Sequence, residues 1–436
     1  SLAAAGSRAT TGIMNTAVRA LPRSPTLVLV FLLLAYILNF LDRQLLSILA
    51  DPIKTDLQLS DTQFGAIAGL AFAIMYSFAG VPLSYLADRT SRSRVIAGAL
   101  LTFSGFTALS GTAQGFWSLF LFRLGVGFGE AGGVAPSYAL IADYFPPEKR
   151  GRALGIYSLG VPVGLGIGVI AGGYIAENIN WRAAFFIMGA VGVLLVPFFL
   201  WAVKDPSKTA LQSAAPKVGL GEVFRVISRK PSFWLLALAA SLSSVVGYGL
   251  ATWIPSVLIR SYGLQLSNAG FYMGGLLLIG GVIGVLAGGL LADRLGHGKS
   301  KKWYALLPAL AWLITVPCYL FGLVTDNLWV AFVPLLIGNA LNILWLGPVV
   351  TSIQHLVEPR MRATASSMFL LINNFIGLGL GPLLIGAVSD ELRSTYGPDS
   401  LRIAAMTALA FYAVAAVLAL WASRYLSRDW VEEKAA

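Results

Sequence analysis

Charge is what this sequence lacks most. Only 12% of its 436 residues are Asp, Glu, Lys or Arg, while 57% are hydrophobic. No soluble fold needs that much apolar surface, whereas a protein threaded repeatedly through a bilayer does. Cysteine is nearly absent: Cys318 stands alone, so no internal disulfide can form. The two histidines, His297 and His355, are too few to build a zinc site without thiolate help, and no metal ligand set is expected. No nucleophile and base are set up together either, which leaves a membrane enzyme without its chemistry. Residues 1–25 carry Arg8, Arg19 and Arg23 but no apolar run. They do not read as a signal peptide, so the first apolar segment is expected to act as the insertion signal.

Long apolar runs are what the sequence has instead. Twelve can be traced, near 26–50, 61–87, 95–111, 114–142, onward from 153, 181–203, 232–259, 268–292, 303–324, 328–355, 363–389 and 401–425. The expected fold is all-α and integral to the membrane, with twelve transmembrane helices in two six-helix bundles. The expected divisions are an N-terminal tail 1–25, a first bundle 26–203, a polar connector 204–231, a second bundle 232–425 and a C-terminal tail 426–436. Within the connector, Leu220, Val223, Phe224 and Ile227 follow a helical period, with Arg225 and Arg229 off that face, which predicts a short helix on the membrane surface. The net charge of +11 is explained by where it lies. On this topology 24 of the 31 Lys and Arg residues fall on the side that holds both termini. Five fall on the other (Lys54, Arg182, Arg260, Arg393, Arg402), and Arg43 and Arg123 lie inside the membrane. That bias places both termini in the cytoplasm, in an inner (plasma) membrane. It is a topology signal, not a nucleic-acid footprint.

The charges inside the segments are the candidates for function, because each is costly there; for Arg the cost is about 2.5 to 17 kcal/mol depending on the method. The fourth segment reads Phe120-Leu121-Phe122-Arg123-Leu124-Gly125-Val126-Gly127-Phe128-Gly129-Glu130-Ala131-Gly132-Gly133. Arg123 and Glu130 are two helical turns apart and share a face, and the glycines let a neighbouring helix come close. The first segment holds Asn39-Phe40-Leu41-Asp42-Arg43. Asp42 and Arg43 could form an interfacial pair at a helix end, but apolar residues continue to Leu49 and polar residues resume only at Asp51-Pro52, which favours burial. If that helix ends near Asp51, Asp42 lies about 13 Å below its surface, at nearly the depth of Arg123, and Glu130 lies about 10 Å further in. Asp42 and Arg123 are therefore expected to pair. Residues 127–132 also fit G-x-G-x-x-G, but no strand precedes them and they lie at mid-membrane, so the dinucleotide reading fails.

The two halves repeat unequally. Leu57-Gln58-Leu59-Ser60-Asp61 returns as Leu264-Gln265-Leu266-Ser267-Asn268, and Leu86-Ala87-Asp88-Arg89 returns as Leu291-Ala292-Asp293-Arg294. Such a duplication puts a substrate site between two parallel bundles at mid-membrane. Asp42 and Arg43 meet Gly249 and Leu250 in the second half, and Glu130 falls on positions such as Ala340. The second half offers Asn339, Asn342, Asn373 and Asn374, with Tyr248, Trp253 and Trp345. This set could line the site, amides toward a headgroup and aromatics toward a chain, or the amides could bond neighbouring helices.

Gly289-Leu290-Leu291-Ala292-Asp293-Arg294-Leu295-Gly296 resembles the loop motif of the major facilitator superfamily; the first-half copy has Ser84 and Ser91 at the glycine positions. Gly155, Gly164, Gly168, Val169, Gly172 and Gly173 are similar to that superfamily's antiporter motif, with Val169 in place of the usual proline. Asn39-Phe40-Leu41-Asp42-Arg43, Phe128-Gly129-Glu130-Ala131 with Ala135-Pro136-Ser137, and Gly160-Val161-Pro162-Val163-Gly164 resemble the Spinster lipid transporters. That resemblance implies export of sphingosine 1-phosphate or movement of lysolipids, with proton coupling at Asp42 and Glu130. Asn39, Arg43 and Arg123 would be their charge and hydrogen-bond partners. Asp88, Arg89, Asp293 and Arg294 would tie helix ends together when the cytoplasmic side closes. The expectation is a monomeric, proton-coupled transporter that works by alternating access, needs no cofactor beyond the proton gradient, takes a lipid-like or amphipathic, anionic substrate, and has membrane lipids as its other partners. A small organic anion remains an alternative substrate, and a non-transporting receptor an alternative function.

Overall fold

The computed structural model describes residues 23–206, 219–296 and 300–431, and among the described residues every regular element is helical. Ten stretches are long and apolar enough to cross a bilayer. One of them, 364–429, contains two helices separated at Gly397–Asp399, and the interrupted stretch 116–144 supplies one more, which gives twelve spans. Spans 1 to 6 are Pro25–Ile48, 61–89, Arg92–Ser110, 116–144, 147–178 and Trp181–Ala202. Spans 7 to 12 are Pro231–Arg260, 266–296, Trp303–Val324, 328–355, 362–396 and 400–429.

Local chemistry sets the span ends. Pro25 and Pro231 open spans 1 and 7, where a missing N–H costs nothing. Ser60 and Gln63 form a reciprocal cap at the start of span 2, and Asn180 accepts from Ala183 N–H at the start of span 6. The expected fourth helix is broken after Glu130. Residues 131–133 form a turn, because Gly132-Gly133 removes the side-chain packing that would hold a continuous helix there. Spans 2, 8 and 11 each contain a wide π turn, at Ala66–Ala71, Leu276–Gly280 and Asn374–Leu378.

The bundles meet along span 1 with span 7, span 2 with span 11, and span 5 with span 8. Burial along these seams is uneven. At the Asp61 end a single apolar cluster runs through both halves, from Leu45, Leu49 and Phe64 to Trp253, Val257 and Ile385. Toward the Arg89 end a second cluster belongs almost wholly to the first half, with only Leu378 and Tyr248 reaching it from the second. The halves share a core at one end and separate toward the other.

Two polar segments also take helical form. The connector helix exists at Leu220–Ser228, but its four apolar residues do not share one environment: Val223 and Ile227 are buried while Leu220 and Phe224 face outward. Span 12 runs on to Asp429, and the Trp430 ring stacks on His355 at 4.6 Å. Asp429 accepts from Ser232 Oγ at 2.7 Å and so caps the start of span 7.

Candidate functional site

Inside the first half four charged side chains form two crossed ion pairs between spans 1 and 4. Arg123 Nη1 donates to Asp42 Oδ2 at 2.6 Å, and Arg43 Nε donates to Glu130 Oε2 at 2.7 Å. Thr107 on span 3 completes the Asp42 environment, its hydroxyl 2.5 Å from Oδ1. Arg123 is 1% exposed, Asp42 2% and Glu130 0%. The group is formally neutral, two acids against two guanidiniums, which is the condition under which buried charge is tolerated. Arg43 lies among the rings of Phe40, Phe72 and Tyr76, each centroid within 4.8 Å of its Cζ, and the Phe72 ring also lies 5.6 Å from Arg123 Cζ. These aromatic faces partly replace the water a guanidinium gives up on burial.

Glycine makes this spacing possible. A Cβ on Gly127 would lie 2.5 Å from the carbonyl oxygen of Phe72, and one on Gly129 would lie 2.5 Å from the Phe103 nitrogen. Any side chain at either position would push span 2 or span 3 away from span 4, and the ion pairs with it.

The bonding is incomplete. Arg43 Nη2, Arg123 Nε, Glu130 Oε1 and Asn39 Oδ1 are buried without a hydrogen-bond partner among the described residues. Unpaired buried polar atoms are costly, and four of them gather around this one cluster.

The second-half residues separate into two groups. Asn373 Oδ1 accepts from Ser244, Asn342 Oδ1 accepts from Tyr412, and Asn339 Nδ2 donates to the Leu276 carbonyl, at 2.9, 2.6 and 2.9 Å. These amides bond helix to helix within their own half. Trp253 is fully buried, donates to the Pro382 carbonyl at 2.8 Å and packs on Phe64; Trp345 is buried against Phe369. Trp253 thus belongs to the apolar core shared by the two halves, and Trp345 packs within the second half. Tyr248 differs: it packs on the cluster of the first half. Asn374 is half-buried in the π turn of span 11.

The side chains of Asp88 and Asp293 lie outside the described residues. The Arg89 guanidinium covers the Tyr85 ring at 4.2 Å, Arg294 is exposed, and Arg92 instead pairs with Asp143 at 2.5 Å.

Sequence reasoning missed a charged clasp at the opposite end. Arg260, ending span 7, donates to both oxygens of Asp61 at 2.9 and 3.0 Å and to Asp51 at 2.7 Å. Lys54 and Ser389 also bond Asp61, which is fully buried. Burial and the neighbouring Arg260 push the Lys54 ammonium below its ordinary value, while its bond to Asp61 pulls the other way. Two acids then reach across the halves to cap helix starts. Asp390 on span 11 accepts from the N–H groups of Asp61 and Thr62, and Glu177 on span 5 accepts from Ser267 N–H at the start of span 8. The available signal was the repeated Leu-Gln-Leu-Ser stretch together with the scarcity of basic residues on that side.

This arrangement has counterparts among known proteins. The sequence model described as Major Facilitator Superfamily matches residues 32–382. An MFS-type efflux pump of Mycolicibacterium smegmatis is 34% identical over 397 residues, covering 91% of this chain and 92% of that one. Protein spinster homolog 1 of Homo sapiens is 28% identical over 402 residues, covering 87% and 76%. A crystal structure of a bacterial homolog to the human lysosomal transporter Spinster, inward-facing and unoccupied, matches at TM-score 0.82 and 31% identity, over 94% of this chain and 99% of that one. With twelve helical spans in two bundles and this breadth of similarity, the chain belongs to the major facilitator superfamily, as a relative of the Spinster proteins and a membrane transporter rather than an enzyme.

Proposed function

We propose that the protein is a proton-coupled secondary transporter that moves an amphipathic, anionic, lipid-like molecule by alternating access, with both termini in the cytoplasm. The observation that carries this reading is the neutral group Asp42–Arg123 and Arg43–Glu130 with its unpaired atoms. A proton on Glu130 removes one negative charge and leaves Arg43 without its counter-ion, in a ring of aromatic side chains. An anion arriving at Arg43 restores neutrality. Proton and anion thus favour each other's binding, and the coupling is reciprocal. Phe40, Phe72 and Tyr76, with Tyr248 opposite on the second half, suit a ligand whose charged head continues into an apolar tail. With the basic-loop side in the cytoplasm, the clasped Asp61 end is the outer one, and the conformation is inward-facing. The two-half seam, sealed at one end, is the geometry that rocking between states requires.

The test uses Glu130→Gln in proteoliposomes. Uptake driven by a proton gradient should fall to background, while counterflow of labelled lipid without a gradient should persist, since only the first needs a titrating acid. Equal loss of both would assign Glu130 to substrate binding or structure instead.

A further inference from the structure

Glu130 has two carboxylate oxygens with different surroundings. Oε2 is taken by Arg43, whereas Oε1 is unpaired. The residue also borders a small cavity of about 20 Å³ that lies wholly within the first half, between spans 1, 3, 4 and 5. Asn39 borders the same cavity, 4% exposed, with Oδ1 unpaired. Tyr36, Ser137 and Tyr157 add hydroxyl groups to its wall, and the remainder is apolar or glycine. Ser137 donates its own hydrogen to the Gly133 carbonyl at 2.7 Å and also lies in hydrogen-bond contact with Tyr157.

We propose that this cavity is a water-binding site and that the bound water is the port through which Glu130 exchanges its proton. This rests on the proton-coupled reading above. Such a cavity is large enough for one water, which needs two to four polar partners. A water here can donate one hydrogen to Asn39 Oδ1 and the other to Glu130 Oε1, and so satisfies two of the four unpaired atoms in one step. A proton reaching this water makes it hydronium. One O–H bond of the hydronium breaks as the O–H bond on Oε1 forms, and the neutral water that remains still holds Asn39. Asn39 acts as a positioning residue, because its amide oxygen fixes the water without itself titrating. Span 3 contributes no titratable group to this cavity, and span 5 contributes only Tyr157. The charged neighbours of Glu130 are Arg43 and Asp42 from span 1 and Arg123 on its own span, with Tyr76 of span 2 beside Arg43. All of these groups belong to one bundle, so rocking of the halves leaves the port intact while it alters what Arg43 faces.

Gly133 gives a clean test, because it borders the cavity and an added Cβ would meet only the Glu130 carbonyl oxygen, at an ordinary 3.5 Å. Gly133→Ala should therefore add a methyl group at the cavity wall without a steric clash. A density map of the unaltered protein in lipid nanodiscs, fine enough to show ordered water, should reveal a peak within hydrogen-bond reach of Asn39 and Glu130. In Gly133→Ala that peak should vanish, and gradient-driven uptake of a single-chain lipid phosphate should slow by about threefold to tenfold, the range set by losing one hydrogen bond of net worth. Gradient-free counterflow should be retained. An empty, dry cavity in the unaltered protein overturns the inference whatever the variants do, as does Gly133→Ala with full drive. If Glu130→Gln itself keeps its proton drive, the proton-coupled reading fails first; if Glu130→Gln loses drive and Gly133→Ala does not, only the water port is wrong.

Discussion

The two bundles descend from one repeated plan, yet their interiors are held together differently. In the first half, mid-span contacts are ion pairs, Asp42 with Arg123 and Arg43 with Glu130, and buried donors and acceptors are left over. In the second half the corresponding depth holds Asn339, Asn342 and Asn373, each bonded to a neighbouring helix. Where the first half has Asp42, the second has Gly249, whose added Cβ would meet Ile385 and the Gly381 backbone. A neutral amide bond keeps its strength at any ordinary pH, whereas an ion pair exchanges strength for the ability to respond to a proton. On the proposed function, one half carries the response and the other forms a fixed wall. Neutral hydrogen bonds are worth about 0.5–1.5 kcal/mol each and carry no group that titrates near neutral pH.

Cutting one contact in each half should expose that difference. Arg123→Ala strands Asp42 in a buried site with only Thr107 beside it, and losing one member of a buried pair costs about 3–5 kcal/mol. Its melting temperature in detergent should drop by far more than that of any second-half amide variant. A melting temperature within a degree or two of the unaltered protein would mean the pair is not a structural strut. Asn373→Ala removes one neutral partner of Ser244 and should cost about 1–2 kcal/mol, with gradient-driven and counterflow transport reduced in equal proportion, if at all. A selective loss of gradient drive in Asn373→Ala would break the division between the halves.

The smallest effect belongs to the clasp where the halves meet. Lys54 sits below its ordinary value when folded, so the unfolded chain binds its proton more tightly. Stability from this group is therefore missing at neutral pH and gained as pH rises toward the ordinary lysine range. Lys54→Met should remove that alkaline rise and leave Asp61 held by Arg260 and Ser389. Parallel melting curves against pH for the two proteins would contradict the assignment.

Much of this was legible in the sequence, for physical reasons that also mark where legibility stops. Apolar runs and basic loops report the solvent each stretch meets, so the spans could be traced directly. Asp42 and Arg123 could be matched by depth, because helical rise converts residue counts into distance. The pairing of Arg43 with Glu130 could not, since it depends on how spans 1 and 4 cross and on side chains reaching between depths. The burial of Trp253 and Trp345 was not legible, because an aromatic residue facing a cleft and one filling a core have the same spacing. Arg260 was visible as one of few basic residues on its side, but its contacts with Asp51 and Asp61 join segments brought together only by the closed seam. The break after Glu130 was written in Gly132-Gly133, yet a glycine pair in an apolar run reads equally well as close packing.

The central claim is that a proton on Glu130 frees Arg43 for an anion. Calorimetric binding of a single-chain lipid phosphate, repeated in buffers of different ionisation enthalpy, counts the protons taken up with each ligand. The unaltered protein should take up a proton on binding in the pH range where Glu130 is ionised, while Glu130→Gln should bind the same ligand with no proton uptake and Arg43→Ala should bind it poorly. Equal proton uptake by the unaltered protein and Glu130→Gln, or full affinity in Arg43→Ala, would contradict the account.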